Sequence, residues 1–257
     1  MKNKRKLTPW LYSMPALILI GMVIVFPIIY TGYISLTNMN LFHWSNYEFI
    51  GLSNYSRALL KADSGFLGAL FTTLLWTTLN MVIQVVVAYF IALGFQREDL
   101  KGKRVYKTLL MFPWAMPAFL SCMTLNLWMA LPFMIMMIDG ALSSIDRSYY
   151  ESAELDGAGF WSKNIHITVP AMKGIIAPAV IMTTFTTFKQ FDIVYLLTMQ
   201  KGAYSGATLQ TIITYAQQNA FVSNNYGLSS AVSIIIFFLI MVFSLFTNRG
   251  VKEENYD

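Results

Sequence analysis

The chain has 257 residues, 56% of them hydrophobic and only 12% charged, whereas a soluble domain carries roughly 25% charged residues to keep its surface wet. That balance points to an integral membrane protein with nothing left over for a soluble catalytic domain. The net charge of +5 follows loop placement rather than a nucleic-acid patch, and a single Cys122 in an apolar run excludes a disulfide framework or cysteine metal site built from this chain.

The basic start MKNKRK precedes Leu11 to Leu36, a stretch without a charge. Crossing a hydrocarbon core takes about 20 residues. The run is too long for a cleaved signal and lacks a small-residue cleavage site near its end, so a first transmembrane helix starting in the cytoplasm is expected. Pro15 and Pro27 would bend it, as membrane helices tolerate. Thr37 to Gly65 is polar and aromatic, with Trp44, Tyr47, Phe49 and Tyr55, and reads as an external loop with an interfacial aromatic belt. Phe66 to Phe95 is a second uncharged run, long enough to span with tilt. Gln96 to Arg104 follows with Arg97, Lys101, Lys103 and Arg104, which place it inside. From Val105 to Leu142 the chain is again apolar, with Asn126 the one strongly polar residue mid-run.

Tyr149 to Pro170, YYESAELDGAGFWSKNIHITVP, is the longest strongly polar interval between apolar spans. Glu151, Glu154 and Asp156 crowd together, and Gly157-Ala158-Gly159 breaks the run. Trp161, Ile165, Ile167 and Val169 follow, and Pro170 closes it. The pattern predicts a short helix, a glycine turn, and a second short helix leading into the next span. Such an element has no core of its own to bury. It suits a docking site for a soluble partner, or else a solvated loop between spans.

The spacing resembles a known signature. Glu151-Ser152-Ala153, three residues, Gly157, nine residues, then Ile167-Thr168-Val169-Pro170 is similar to the "EAA loop", EAA-x3-G-x9-I-x-LP, of membrane subunits of binding-protein-dependent ABC importers. Ser152 stands for an alanine and Val169 for a leucine. Asp156-Gly157-Ala158 matches the sugar-importing branch. FIGLSNYSRAL (Phe49 to Leu59) resembles the F-x-GL-x-NY loop of those permeases. KGKRVYKTLLMFPWAMPAF (Lys101 to Phe119) resembles the start of their next span, in which Pro113 and Pro117 would mark a kinked helix beside the translocation path.

The resemblance constrains the apolar run before the loop. One crossing by Val105 to Leu142 would leave the EAA-like loop outside, where no ATPase reaches it, so the run crosses twice or not at all. Two crossings need about 40 residues before any turn, and Asn126 is the natural apex of a tight hairpin. Family members carry several tens of extra residues here, and Leu127 to Ile145 resembles the later part of the next span. The sequence therefore looks internally shortened near Met123 to Asn126. Either a compact hairpin or re-entrant pair forms here, or the chain is a deletion product.

Gly174 to Met199 is expected to form the next span, with Thr183, Thr184, Thr186, Thr187, Lys189, Gln190, Asp192 and Tyr195 within it. Lys189 and Asp192 are three apart, so one helix would put them on one face as an ion pair. Lys189, Gln190, Asp192 and Tyr195 either line a substrate path or snorkel at the outer interface. FDIVYLLT (Phe191 to Thr198) continues the resemblance, but Met199-Gln200-Lys201-Gly202 replaces the family's Gly-Gly-Pro loop. Ala203 to Tyr226 reads as external, Gly227 to Asn248 as the last span, and Arg249 as the start of an internal tail. Of the basic residues only Arg57, Lys61 and Lys201 fall in outside loops and Lys189 in a span, a positive-inside bias with both termini cytoplasmic.

There is no GxxxxGK[ST] phosphate loop, no HExxH and no GxSxG. His43 and His166 fall on opposite sides by this topology and cannot form a metal pair; His166 reads as packed or interfacial. No catalytic residue, metal or cofactor is expected.

The resemblance implies an all-α membrane protein, a type I ABC importer transmembrane domain of about six helices with the third and fourth short or merged. Residues 1–257 would form one permease domain in a bacterial inner membrane, with 149–170 as its cytoplasmic coupling loop. Glu151, Ser152, Ala153, Glu154, Asp156, Gly157, Ala158, Ile167 and Pro170 would couple it to the ATPase. The implied partners are two cytoplasmic ABC ATPase subunits, a second related permease, an external solute-binding protein and membrane lipid, with no nucleic acid. ATP hydrolysis would belong to the separate subunit and the cargo would be a sugar or related carbohydrate. Two other readings are carried: a shortened, non-transporting permease or assembly protein, and an ion-coupled secondary transporter, which leaves the EAA spacing unexplained.

Overall fold

The computed structural model describes residues 12–61, 65–97, 99–112, 126–200 and 210–253. Its helices, in chain order, are α1 Tyr12–Ile34, α2 Ser53–Leu60, α3 Phe66–Gln96, α4 Lys103–Met111, α5 Asn126–Ser143, α6 Arg147–Leu155, α7 Phe160–Phe188, α8 Asp192–Gln200, α9 Ile212–Phe221 and α10 Tyr226–Glu253. Among the described residues four helices are long and apolar enough to cross a membrane: α1, α3, α7 and the Tyr226–Leu245 part of α10. Among the described residues α5 has a shorter apolar segment, Leu131–Ser143, and α4 covers Lys103–Met111. Asn126 lies in α5 as its first described residue. Pro113, Pro117, Met123 to Leu125, Lys201 and Gly202 lie outside the described residues.

Two helices widen into a π-helical turn, at Gly21–Val25 in α1 and Asn164–Thr168 in α7. Each widened turn ends two residues before a proline, Pro27 and Pro170. Proline lacks an N–H and its ring crowds the carbonyl one turn back. A single-turn widening relieves that crowding without ending the helix. In place of the α pattern, Phe26 N–H donates to Gly21 O and Val169 N–H to Asn164 O.

The chain divides into two compact units, residues 1–69 with 212–239 and residues 70–211 with 240–257. In the first, the F-x-GL-x-NY segment proves to be a structural knot. Thr37 and Phe49 form an isolated antiparallel bridge. Gly51 turns the chain at φ 58°, the left-handed region that glycine enters at no steric penalty. Buried Asn54 then donates through Nδ2 to Ser35 O at 2.9 Å and Thr37 O at 2.8 Å, and the Tyr55 hydroxyl meets Ser35 Oγ at 2.7 Å. The backbone of Gly227 in α10 lies against the same carbonyl: a Cβ there would collide with Thr37 O, while its N–H donates to Met39 O at 2.9 Å.

In the second unit, Met81, Ala88, Ala92 and Phe95 of α3 pack with Leu131, Met134, Ile135, Ile138, Ala141 and Leu142 of α5 and Met172 of α7. Asp139 is buried inside this apolar layer and is tolerated because it is fully partnered. Lys107 of α4 pairs with its Oδ2, and Gln96 Nε2 donates to its Oδ1 at 3.2 Å and to Ser143 Oγ at 3.1 Å. Lys107 also sits 5.6 Å from the centre of the Phe95 ring. One ion pair thus fastens α4 to α5 beside the end of α3.

Candidate functional site

The polar interval folds as the helix, turn and helix its sequence predicts, except that the second helix is the first turn of the span α7 and not a separate piece. The Asp146 side chain N-caps α6 by accepting from Ser148 N–H at 2.9 Å, and that hydrogen bond holds its carboxyl below the ordinary range. Arg147 and Glu151 face each other one turn apart on the exposed side, 3.4 Å between them.

The end of α6 explains the spacing between the alanine and glycine of the signature. Ala158 N–H donates to Ala153 O at 2.9 Å and Gly157 N–H to Glu154 O at 3.0 Å, with Gly157 at φ 75°. This pair of bonds is a Schellman turn, in which the residue in the left-handed region sits four after the residue that accepts the six-to-one bond, here Ala153. Ala153 and Ala158 are half-buried, whereas Glu151, Ser152, Glu154, Asp156 and Gly157 are exposed. Lys163 reaches back across the turn to Glu154, Nζ to Oε1 2.7 Å.

Two polar contacts then tie the start of α7 to α3 and α6, and a third braces it internally. The Tyr89 hydroxyl on α3 donates to Asn164 Oδ1, Asn164 Nδ2 donates to Phe160 O at 2.8 Å, and the Tyr150 hydroxyl of α6 meets Thr168 Oγ1 at 3.0 Å. Asn164 and Thr168 are the buried members of the widened turn. Ile167 is half-buried and Pro170 exposed. His166 is exposed, its Nδ1 donating to Ser162 O at 3.0 Å. The π turn ahead of Pro170 is thus where α6, α7 and α3 are joined.

Exposed apolar side chains complete the element: Leu155 at 91% exposure, Trp161 at 65% and Phe160 at 55%. Spacing alone did not single out Leu155 or Phe160. The available signal was a leucine set between two acids, Glu154 and Asp156, where no helix face of its own could bury it.

The candidate substrate-path residues are arranged differently from the expectation. α7 ends at Phe188, Lys189 is its C-cap at φ −86° and ψ 5°, and α8 begins at Asp192. Lys189 and Asp192 therefore share no helix face, and no ion pair joins them among the described residues; both are exposed. Gln190 and Tyr195 are half-buried, and Tyr195 stacks on Phe191 with centroids 4.9 Å apart. Thr184 and Thr186 return their hydroxyls to Val180 O and Thr183 O at 2.7 and 2.9 Å, which satisfies them within the helix.

The Glu154–Lys163 pair gives a pH expectation. Lys163 hydrogen-bonds and attracts the Glu154 carboxylate, which lowers its pKa. A depressed carboxyl adds stability that is present above its unfolded pKa and lost as pH falls through the folded one. Carboxyl NMR of the chain should find Glu154 titrating below the ordinary glutamate range, and Lys163→Met should bring it back up. An ordinary glutamate titration at Glu154 in the native chain would contradict the contact.

Three comparisons set this geometry beside known proteins. The model of a family described as "Binding-protein-dependent transport system inner membrane component" matches residues 58–251. The maltodextrin transport system permease protein MdxF of Bacillus subtilis is 25% identical, over 92% of this chain and 67% of its own. The trehalose/maltose transport system permease protein MalF of Thermococcus litoralis is 26% identical over 95% and 94%, and the sulfoquinovosyl glycerol permease SmoG of Agrobacterium fabrum 29% over 94% and 89%. The MdxF alignment runs over 292 positions, although 92% of 257 residues is about 236, so that relative holds over fifty positions without a counterpart here. A chain of a bacterial ABC transporter that imports the acidic polysaccharide alginate superposes with a TM-score of 0.76 at 19% identity, covering 98% of this chain and 99% of that one.

Proposed function

The chain belongs to the binding-protein-dependent transport system inner membrane components, the permeases of ABC importers, and from that premise we propose that residues 149–170 are the docking loop through which a cytoplasmic ATPase drives it. The observation that carries this reading is an exposed acidic and apolar helix, closed by a glycine turn, bonded to the first turn of the span α7. Glu151, Ser152, Ala153, Glu154, Asp156, Gly157, Ala158, Ile167 and Pro170 form it. The first five with Gly157 offer the surface or its turn, and Ile167 and Pro170 the link to the membrane.

The cargo is a sugar or related glycoside, the class named in the relatives above. The working complex has two ATPase subunits, a second related permease and an external solute-binding protein, in a bacterial inner membrane with both termini cytoplasmic. α1 has no buried residue along its apolar window, as suits a helix facing lipid. Closure of the ATPases on ATP would push α6, and the π-turn junction would pass that movement to α7 and α3, biasing the two access states. ATP chemistry stays in the partner.

The test is pull-down of the native chain beside Gly157→Asp and Gly157→Val, reading the ATPase recovered. Nothing lies within 4 Å of a Cβ at Gly157, so a side chain fits and only the backbone is strained, by roughly 1–2 kcal/mol for a residue held left-handed. The native chain should retain the ATPase, with at least a tenfold loss in the valine variant. A native chain that brings down none ends the docking reading. The positions missing relative to MdxF favour one competing reading, a non-transporting permease. Labelled maltotriose and glycerol uptake by the assembled complex separates it, since a non-transporting permease would retain the ATPase and move neither.

A further inference from the structure

The buried face of α3 changes character along its length. Beyond Gln84 it is apolar, with Ala88, Ala92 and Phe95, and Met81 lies within the polar stretch before them. Its earlier half places Thr73, Thr77, Asn80 and Gln84 on the same side, at spacings of four, three and four, all less than 9% exposed. The opposite face, Phe71, Leu74, Leu75, Leu79, Val82 and Val86, is exposed and fit for lipid.

Part of this polar stretch is not satisfied. Among the described residues, Thr77 Oγ1, Gln84 Oε1 and the neighbouring Trp76 Nε1 are buried with no hydrogen-bond partner. Asn80 keeps one bond, from its Nδ2 to Trp76 O at 2.8 Å. Each orphaned polar atom costs about 1–3 kcal/mol in a protein interior, and a span has no bulk water to make up the loss. A helix packed for stability alone would carry valine and leucine at 77 and 84, as it carries apolar residues two turns later.

We propose that the Thr77–Gln84 half of α3 is a hidden part of the solute path, closed in this structure and opened to a polyhydroxylated solute in the other access state. Hydroxyl, indole N–H and amide carbonyl are groups that pair with sugar hydroxyls, and no charge is present to demand an ionic cargo. The unmet bonds are those the solute makes on opening, and apolar packing of the later half keeps the cytoplasmic side shut meanwhile. The inference rests on the importer reading and adds to it a binding face separate from the Lys189 to Tyr195 segment.

The experiment uses the complex purified with its ATPase, in a Cys122→Ala background, with single cysteines at 77 or 84 and a charged methanethiosulfonate as probe. Leu75 and Leu79, on the exposed face, serve as lipid-side controls. Both test cysteines should react at least about tenfold faster in one of two conditions, nucleotide-free or ATP with vanadate, because a state populated at 0.1–10% limits access in the other. The controls should stay unreactive. No reaction at 77 or 84 in either condition, or equal reaction in both, overturns the proposal. A second arm needs no ATPase: the double variant Thr77→Val, Gln84→Leu should melt at or above the native temperature, because it deletes orphaned groups. A lower melting temperature would show that those groups hold the fold and would also overturn it. The ATPase band in the preparation reports separately on the docking loop.

Discussion

Replacing Leu155 by aspartate should reduce ATPase recovery with this chain by roughly 30- to 100-fold while leaving its melting temperature within a degree or two. The two halves of that expectation come from the same observation. Leu155 stands 91% exposed in the last turn of α6, so it contributes little to the fold and its loss should not be felt there. Large apolar side chains displayed on a short polar element mark a contact surface. Covering a leucine is worth about 1.5–3 kcal/mol, and an aspartate covered in its place adds the desolvation of a carboxylate beside Glu154 and Asp156. A hot-spot residue of at least about 2 kcal/mol corresponds to some thirtyfold in affinity. Leu155→Met, which keeps the apolar volume, should remain near native. Full ATPase recovery with Leu155→Asp would remove Leu155 from the docking surface and shift the contact toward Phe160 and Trp161.

The signature was legible because it encodes local geometry. Ala153 and Gly157 sit four apart because a Schellman turn requires it, and both bonds of that turn lie within six residues. Pro170 was legible as a motif letter but not as a cause. Its effect appears upstream, in the π turn that buries both Asn164 and Thr168. What Asn164 meets was beyond the sequence: Tyr89 is 75 residues away, and a single hydrogen bond across that distance leaves no periodicity. The helix break at Lys189 was hidden for a different reason. Lys189-Gln190-Phe191 contains neither glycine nor proline, so an unbroken span from Gly174 to Met199 was the natural expectation. The pair of half-buried Lys107 with buried Asp139 shows the limit of charge counting, since each residue taken alone reads as an end-of-span charge and only the fold brings them together.

The F-x-GL-x-NY segment yields the second large effect. Asn54→Leu keeps the size of the side chain and removes both donors from Ser35 O and Thr37 O, in a place where Ser35 and Thr37 are themselves buried. Two buried carbonyls left unpaired should cost about 2–5 kcal/mol, on the order of 10 °C in melting temperature for a chain of this size. Asn54→Asp should be worse, because it sets a carboxylate against the same two carbonyl oxygens. Tyr55→Phe removes only the hydroxyl that meets Ser35 Oγ and should cost at most about 1.5 kcal/mol. Relief by shifting α10 is barred, because Gly227 presses its backbone on Thr37 O from the other side with no room even for a methyl group. Thermal unfolding in detergent ranks the three variants. If Asn54→Leu melts with the native chain, the carbonyls are being met by something other than Asn54, and the segment is a family signature for some reason other than this knot. If the ranking holds, three letters of that signature, Gly51, Asn54 and Tyr55, are there to close the loop between α1 and α2, and solute chemistry must be sought elsewhere, on the buried polar face of α3.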